Sequence, residues 1–146
     1  MLVAAVVALC LGAPSPVHAG PLTLTITGSV SFPDQSPDIV PVIGPDDVSV
    51  SVRSLAAPGT PWVLTMVADS DLTSGTDVIP IGNVSWTASP SPPFQGGILS
   101  TVVPVVLGNG VSHFSSVATL GFYLQNSWDY VPGDYTATAT LTLSSP

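Results

Sequence analysis

Apolar and polar positions alternate with period two along much of this chain. The clearest run is Tyr135-Thr-Ala-Thr-Ala-Thr-Leu-Thr-Leu. Tyr135, Ala137, Ala139, Leu141 and Leu143 share one face, and Thr136, Thr138, Thr140 and Thr142 the other. Successive side chains of a strand point to opposite sides, so the pattern predicts a β-strand with one buried face. The same rhythm sets Leu22, Leu24 and Ile26 against Thr23, Thr25 and Thr27, and continues towards Phe32. It sets Val48, Val50 and Val52 against Ser49, Ser51 and Arg53, and puts Trp62, Leu64, Met66 and Ala68 on one face.

Shorter segments fill the intervals. Residues 39–43 read as a short edge strand, because Pro41 cannot donate to a ladder. Residues 44–47, Gly-Pro-Asp-Asp, read as a turn, and residues 69–77 as a polar loop. Residues 78–81 and 84–88 read as strands around Gly82-Asn83, and residues 89–97 are the longest stretch without a period. Residues 99–106 and 111–118 read as a hairpin about Gly108-Asn109-Gly110, since Asn-Gly favours tight turns. A strand at 122–125 and a connection bearing Trp128 and Tyr130 lead into the final strand. About nine or ten strands at this spacing, with no helical period, predict an all-β fold. The expected form is a single antiparallel β-sandwich of immunoglobulin-like kind. Uneven strands and Pro-rich loops favour it over a small closed barrel.

The first residues stand apart. Residues 2–11 are apolar, but a membrane-spanning helix needs roughly 20 such residues. Pro14 and Pro16 break the run, and Val17-His18-Ala19 places small residues at the −3 and −1 positions. Residues 1–19 therefore read as a secretory signal peptide cut between Ala19 and Gly20, and residues 20–146 as the sandwich domain. Cys10 follows Leu9, where a lipid-attachment signal requires a small residue. The domain after Ala19 has no cysteine, so its core has no disulfide to assist it. The expected location is secreted, extracellular or associated with the cell surface, with no transmembrane segment.

Charge narrows the partners. The nine acidic residues are all aspartate, Arg53 is the only lysine-or-arginine cation, and the net charge is −8. Glutamate and lysine, strong helix formers, are absent. A nucleic acid or an anionic membrane would need a basic patch, so neither is an expected partner.

Candidate chemistry is sparse. Asp69, Asp71 and Asp77, with Gly75 between them, resemble the oxygen-rich loops that hold calcium, although no bidentate glutamate is available. No other cofactor is suggested. His113 is the one histidine after the leader, and no Gly-x-Ser-x-Gly elbow accompanies it, so a serine-histidine site has no anchor. Zinc lacks a ligand set. Asp46-Asp47 reads as a solvated turn and not as the carboxylate pair of a glycosidase. The expectation is a protein that is not an enzyme. Asn83-Val84-Ser85 matches the glycosylation sequon. Of the tryptophans, Trp62 is expected in the core and Trp128 on the surface.

Two patches carry a family resemblance. Trp62-Val63-Leu64 opens a mid-chain strand, and Tyr135, Thr140, Leu143 and Pro146 close the chain. Together they resemble the WxL domain, although Leu141 stands at the place of that family's second tryptophan. The resemblance implies an exported bacterial surface module that attaches non-covalently to peptidoglycan. Trp62, Leu64, Tyr135, Thr140 and Leu143 would be its family residues, and cell-wall polysaccharide or other surface proteins its partners. Gly133-Asp134-Tyr135-Thr136 also resembles the end of fimbrial and spore-coat-U-like subunits. That likeness implies a structural subunit, a homopolymer built by strand exchange, with residues 22–32 as the exchanged segment.

Overall fold

The computed structural model of the chain describes residues 5–12 and 22–146. It is an all-β sandwich. The strands are β1 (Ala5–Gly12), β2 (Leu22–Thr27), β3 (Val30–Phe32), β4 (Val42–Ser54), β5 (Pro61–Ala68) and β6 (Leu72–Ser74). They continue with β7 (Asp77–Ile79), β8 (Val84–Ser89), β9 (Gly97–Ile98), β10 (Val105–Val111), β11 (Phe114–Gln125) and β12 (Gly133–Ser144). One sheet runs β10-β5-β12-β1-β3, with β6 and β7 attached at β12, and the other runs β2-β4-β11-β8-β9. Neighbouring strands are antiparallel except for β1 and β12, which are parallel.

The alternating segments bury the faces their pattern predicts. Trp62, Leu64, Met66 and Ala68 of β5 point into the core with Tyr135, Ala137, Ala139 and Leu141 of β12. Val48, Val50 and Val52 of β4 and Ala118, Leu120, Phe122 and Leu124 of β11 meet them from the other sheet. The threonines between them cover the outside, where β-branched hydroxyl side chains suit a solvated pleat.

The segment 22–32 pairs within its own chain. Leu22–Thr27 lies along β4 for six residue pairs. At Gly28, whose φ of +112° suits glycine, the chain crosses to the opposite sheet, where Val30 and Phe32 are buried.

Several local readings are corrected. Residues 39–43 do not form a separate strand, and residues 44–47 do not form a turn between strands. Val42 to Ser54 is one strand, and Gly44 and Pro45 form a bulge opposite Tyr123: the ladder passes from Phe122↔Asp46 to Leu124↔Ile43. A bulge leaves a residue unpaired, so it accepts a proline that has no N–H to give.

The hairpin about Gly108-Asn109-Gly110 does not form. These residues lie inside β10 and pair with Leu64, Val63 and Trp62 of β5. Their glycines make room for aromatic rings. A Cβ on Gly110 would stand 3.0 Å from the Trp62 indole, and one on Gly108 2.9 Å from the Phe94 ring. The chain instead changes sheets at Ser112 and His113, and His113 takes a φ of 63° at the crossing, outside the strands where it was expected.

Residues 69–77 are not wholly loop, because β6 and β7 form a small hairpin there. With β1 and the two-residue β9, this brings the strands among the described residues to twelve.

The start of β12 is pinned by Tyr135, whose hydroxyl donates to the Val131 carbonyl at 2.7 Å. This is the arrangement of the tyrosine corner in immunoglobulin-like sandwiches. Burial pushes the phenol above its ordinary range, and the nearby Asp77 carboxylate adds to the shift.

Candidate functional site

The residues of the Trp-x-Leu and closing patches fall on two paired strands. Leu64 of β5 faces Leu143 of β12, and Trp62 lies two residues beyond on β5. Trp62 and Leu64 are fully buried, and Leu143 is half-buried against the core. Thr140 is half-buried with its hydroxyl 3.4 Å from an Asp69 carboxylate oxygen. Tyr135 sits eight residues from Leu143, about 26 Å along the strand. Four of the five are thus packing positions, Thr140 lies on the outer face of β12, and the five do not converge on a surface site.

Among the described residues, no three histidine, cysteine or acidic side chains converge to hold a metal ion. The aspartates of the calcium-like loop have other duties. Asp71 accepts from the Ile81 backbone N–H at 2.8 Å, and Asp77 opens β7 opposite Ser74. Asp46 accepts from the Ser31 backbone N–H at 2.6 Å and so fastens β3 to β4. The Asn83 side-chain nitrogen, where a glycan would attach, donates to the Tyr130 hydroxyl at 2.9 Å.

An open cleft of about 500 Å³ lies beside this pair, lined in part by Pro80, Asn83, Gln125, Asn126 and Tyr130. Several of its polar groups already have hydrogen-bond partners within the protein. The Tyr130 hydroxyl donates to the Gln125 carbonyl at 2.6 Å, and the Asn126 amide donates to the Gln35 and Val40 carbonyls. Burial raises the Tyr130 phenol pKa, the Asn83 hydrogen bond opposes the rise, and Asp129 adds to it. Trp128, on the neighbouring connection, is 53 % exposed and donates to Asp38 at 3.1 Å.

The best-formed feature is a strand seat in the first sheet. The β1 segment, part of the run read as a leader, fills the place between β12 and β3. It pairs with β12 from Ala5↔Gly133 to Gly12↔Thr140, and with β3 from Val7↔Phe32 to Leu9↔Val30. Leu9 is 1 % exposed, and Leu11 is half-buried against the core. Their register partners on β12 are Ala137 and Ala139. Small residues on the floor leave room for large ones on the strand laid beside it. The expected cut between Ala19 and Gly20 lies outside the described residues, as do the flanking parts of the leader.

Sequence reasoning set residues 1–19 aside and so missed this seat. One signal was present. Two alanines on the inward face of the final strand, between Tyr135 and Leu141, leave a volume that another element must fill. Phe94 was missed as well. It sits in the aperiodic stretch yet is fully buried, 6.3 Å from the Trp62 ring and 6.2 Å from the Phe114 ring.

Compared with known proteins, the chain matches no protein-family model and no curated sequence.

Proposed function

We propose that the chain is an exported, non-catalytic cell-surface β-sandwich that packs against neighbours in a surface layer. The observation that carries this reading is an apolar flank. The edge strand β9 and the loop after it expose Ile98, Val102 and Val103, with Val102 83 % exposed. Beside them begins β10, the edge of the other sheet. Exposed apolar residues grouped on one side of a domain mark a surface that meets another. The charge is all of one sign apart from Arg53, so the solvated surface away from this flank resists unselective association. The expected result is concentration-dependent association in sedimentation velocity, lost in the double variant Val102→Asp, Val103→Asp. A wild-type chain that stays monomeric at high concentration would remove the basis for this reading.

A second reading, attachment to wall polysaccharide, is favoured by the half-exposed indole of Trp128, whose chain neighbours Ser127 and Asp129 line a cleft that also bears the Asn83, Gln125 and Asn126 amides. Aromatic faces with flanking amides suit sugar rings, which are apolar on their faces and hydroxylated at their rims. Purified peptidoglycan should then enrich the protein over a boiled-protein control, and Trp128→Ala should abolish the enrichment. Equal recovery of the two forms removes this alternative.

A further inference from the structure

We propose that the seat between β3 and β12 is an acceptor site, filled in the exported chain by an extended apolar strand from another polypeptide. The proposal rests on the export reading, since processing at Ala19 would separate the Ala5–Gly12 strand from the domain that holds it.

The seat is built for one strand. Eight residue pairs join the occupant to β12 and three join it to β3. Strands in a sheet lie about 4.8 Å apart, so β12 and β3 stand about 9.6 Å from each other with room for one strand between them. Removing the occupant leaves two facing backbone edges whose donors and acceptors have no ladder. It also uncovers Val30, Phe32, Ala137 and Ala139, all buried in the complete sandwich.

The gap cannot close by a small shift of β3. Its Ser31 N–H is fastened to the Asp46 carboxylate on β4, and the chain before it is committed to the opposite sheet by six pairs along β4. The unprocessed chain solves the problem with its own apolar run. The processed chain needs a substitute.

The register defines the substitute. It is an extended segment parallel to β12, with two leucine-sized residues two positions apart, at the places of Leu9 and Leu11. Alanine at 137 and 139 receives them, and no charge is tolerated on that face. A second copy of the domain does not supply such a segment from residues 22–32. Leu22, Leu24 and Ile26 pack against their own core, and Val30 and Phe32 are buried in it. The partner is therefore a different chain that carries a free alternating apolar strand.

The test uses the full chain with a specific protease site placed within residues 13–19. The protein is folded and then cut there, which leaves the Ala5–Gly12 strand held only by the seat. A fluorescent peptide of residues 5–12 is added in excess, and a second peptide carries Leu9→Asp. The first peptide should replace the resident strand at one per protein. The second should bind at least about tenfold more weakly, because one buried leucine is lost and a carboxylate would enter the core. A cut protein that keeps its strand and takes up neither peptide makes the strand a permanent part of the fold and overturns the proposal. Equal uptake of both peptides overturns it as well, because surface adhesion would then explain the binding.

Amino-terminal sequencing of protein recovered from the cell surface separates this failure from that of the export reading. A chain that still carries Ala5–Gly12 refutes the processing on which both rest. A chain that begins at Gly20 while the cut protein fails to exchange refutes the acceptor site alone.

Discussion

Trp62→Ala is expected to lower the folding stability by about 3–5 kcal/mol, enough to bring a domain of ordinary stability close to unfolding. The indole is wholly buried and stacked on Phe114 at 4.9 Å between ring centroids. Its N–H donates to the Val111 carbonyl at 3.2 Å. Gly110 has no side chain where that ring passes, so the neighbouring strand is shaped around it. Alanine would remove the ring, leave a cavity between Phe94 and Phe114, and orphan a carbonyl at the edge of the core. Urea unfolding followed by far-ultraviolet dichroism measures the loss as a lower midpoint at unchanged slope. A variant that keeps the wild-type midpoint but no longer sediments with peptidoglycan would make Trp62 a binding residue and refute its core role.

Gly44→Ala should cost about 3 kcal/mol, an unusual penalty for a residue in a segment that looks like a turn. Gly44 has a φ of +125°, and a Cβ there would collide with the Phe122 carbonyl oxygen. The strand carrying that carbonyl, β11, is held on its far side by β8 through Phe122↔Trp86, Tyr123↔Ser85 and Leu124↔Val84, so it has little freedom to retreat. Gly75→Ala supplies the comparison. Gly75 also has a positive φ, +61°, but nothing lies within 4 Å of the position its Cβ would take. Its cost should be confined to the left-handed backbone, about 1–2 kcal/mol. Equal losses at the two sites would mean that Gly44 lies in an open turn and that β4 and β11 do not form the bulged ladder.

Period-two alternation was enough to identify the buried faces of β2, β4, β5 and β12, because a strand exposes each side chain to only one of two environments. The same local rule places Trp62, Leu64 and Met66 in the core and Trp128, on an aperiodic connection, at the surface. Composition carried the fold class for a related reason: a chain without glutamate or lysine has few residues with which to cover a helix. These are statements about near neighbours in sequence, and a local pattern is enough to make them.

Long-range packing governs the places where a residue's role depends on a distant partner. Gly108 and Gly110 look like a turn until Phe94 and Trp62 are seen to need their empty space. Gly44-Pro45 looks like a strand break until Tyr123 is seen to lie opposite as the single residue of a bulge. Phe94 has no periodic neighbours, and its burial follows from the gap beside Trp62 and Phe114. The apolar run at 2–11 has the composition of a leader, and that composition equally suits a strand laid between Ala137 and Val30. Apolar transfer free energy does not depend on direction or on sequence distance, so hydrophobicity alone could not specify which surface would receive that run.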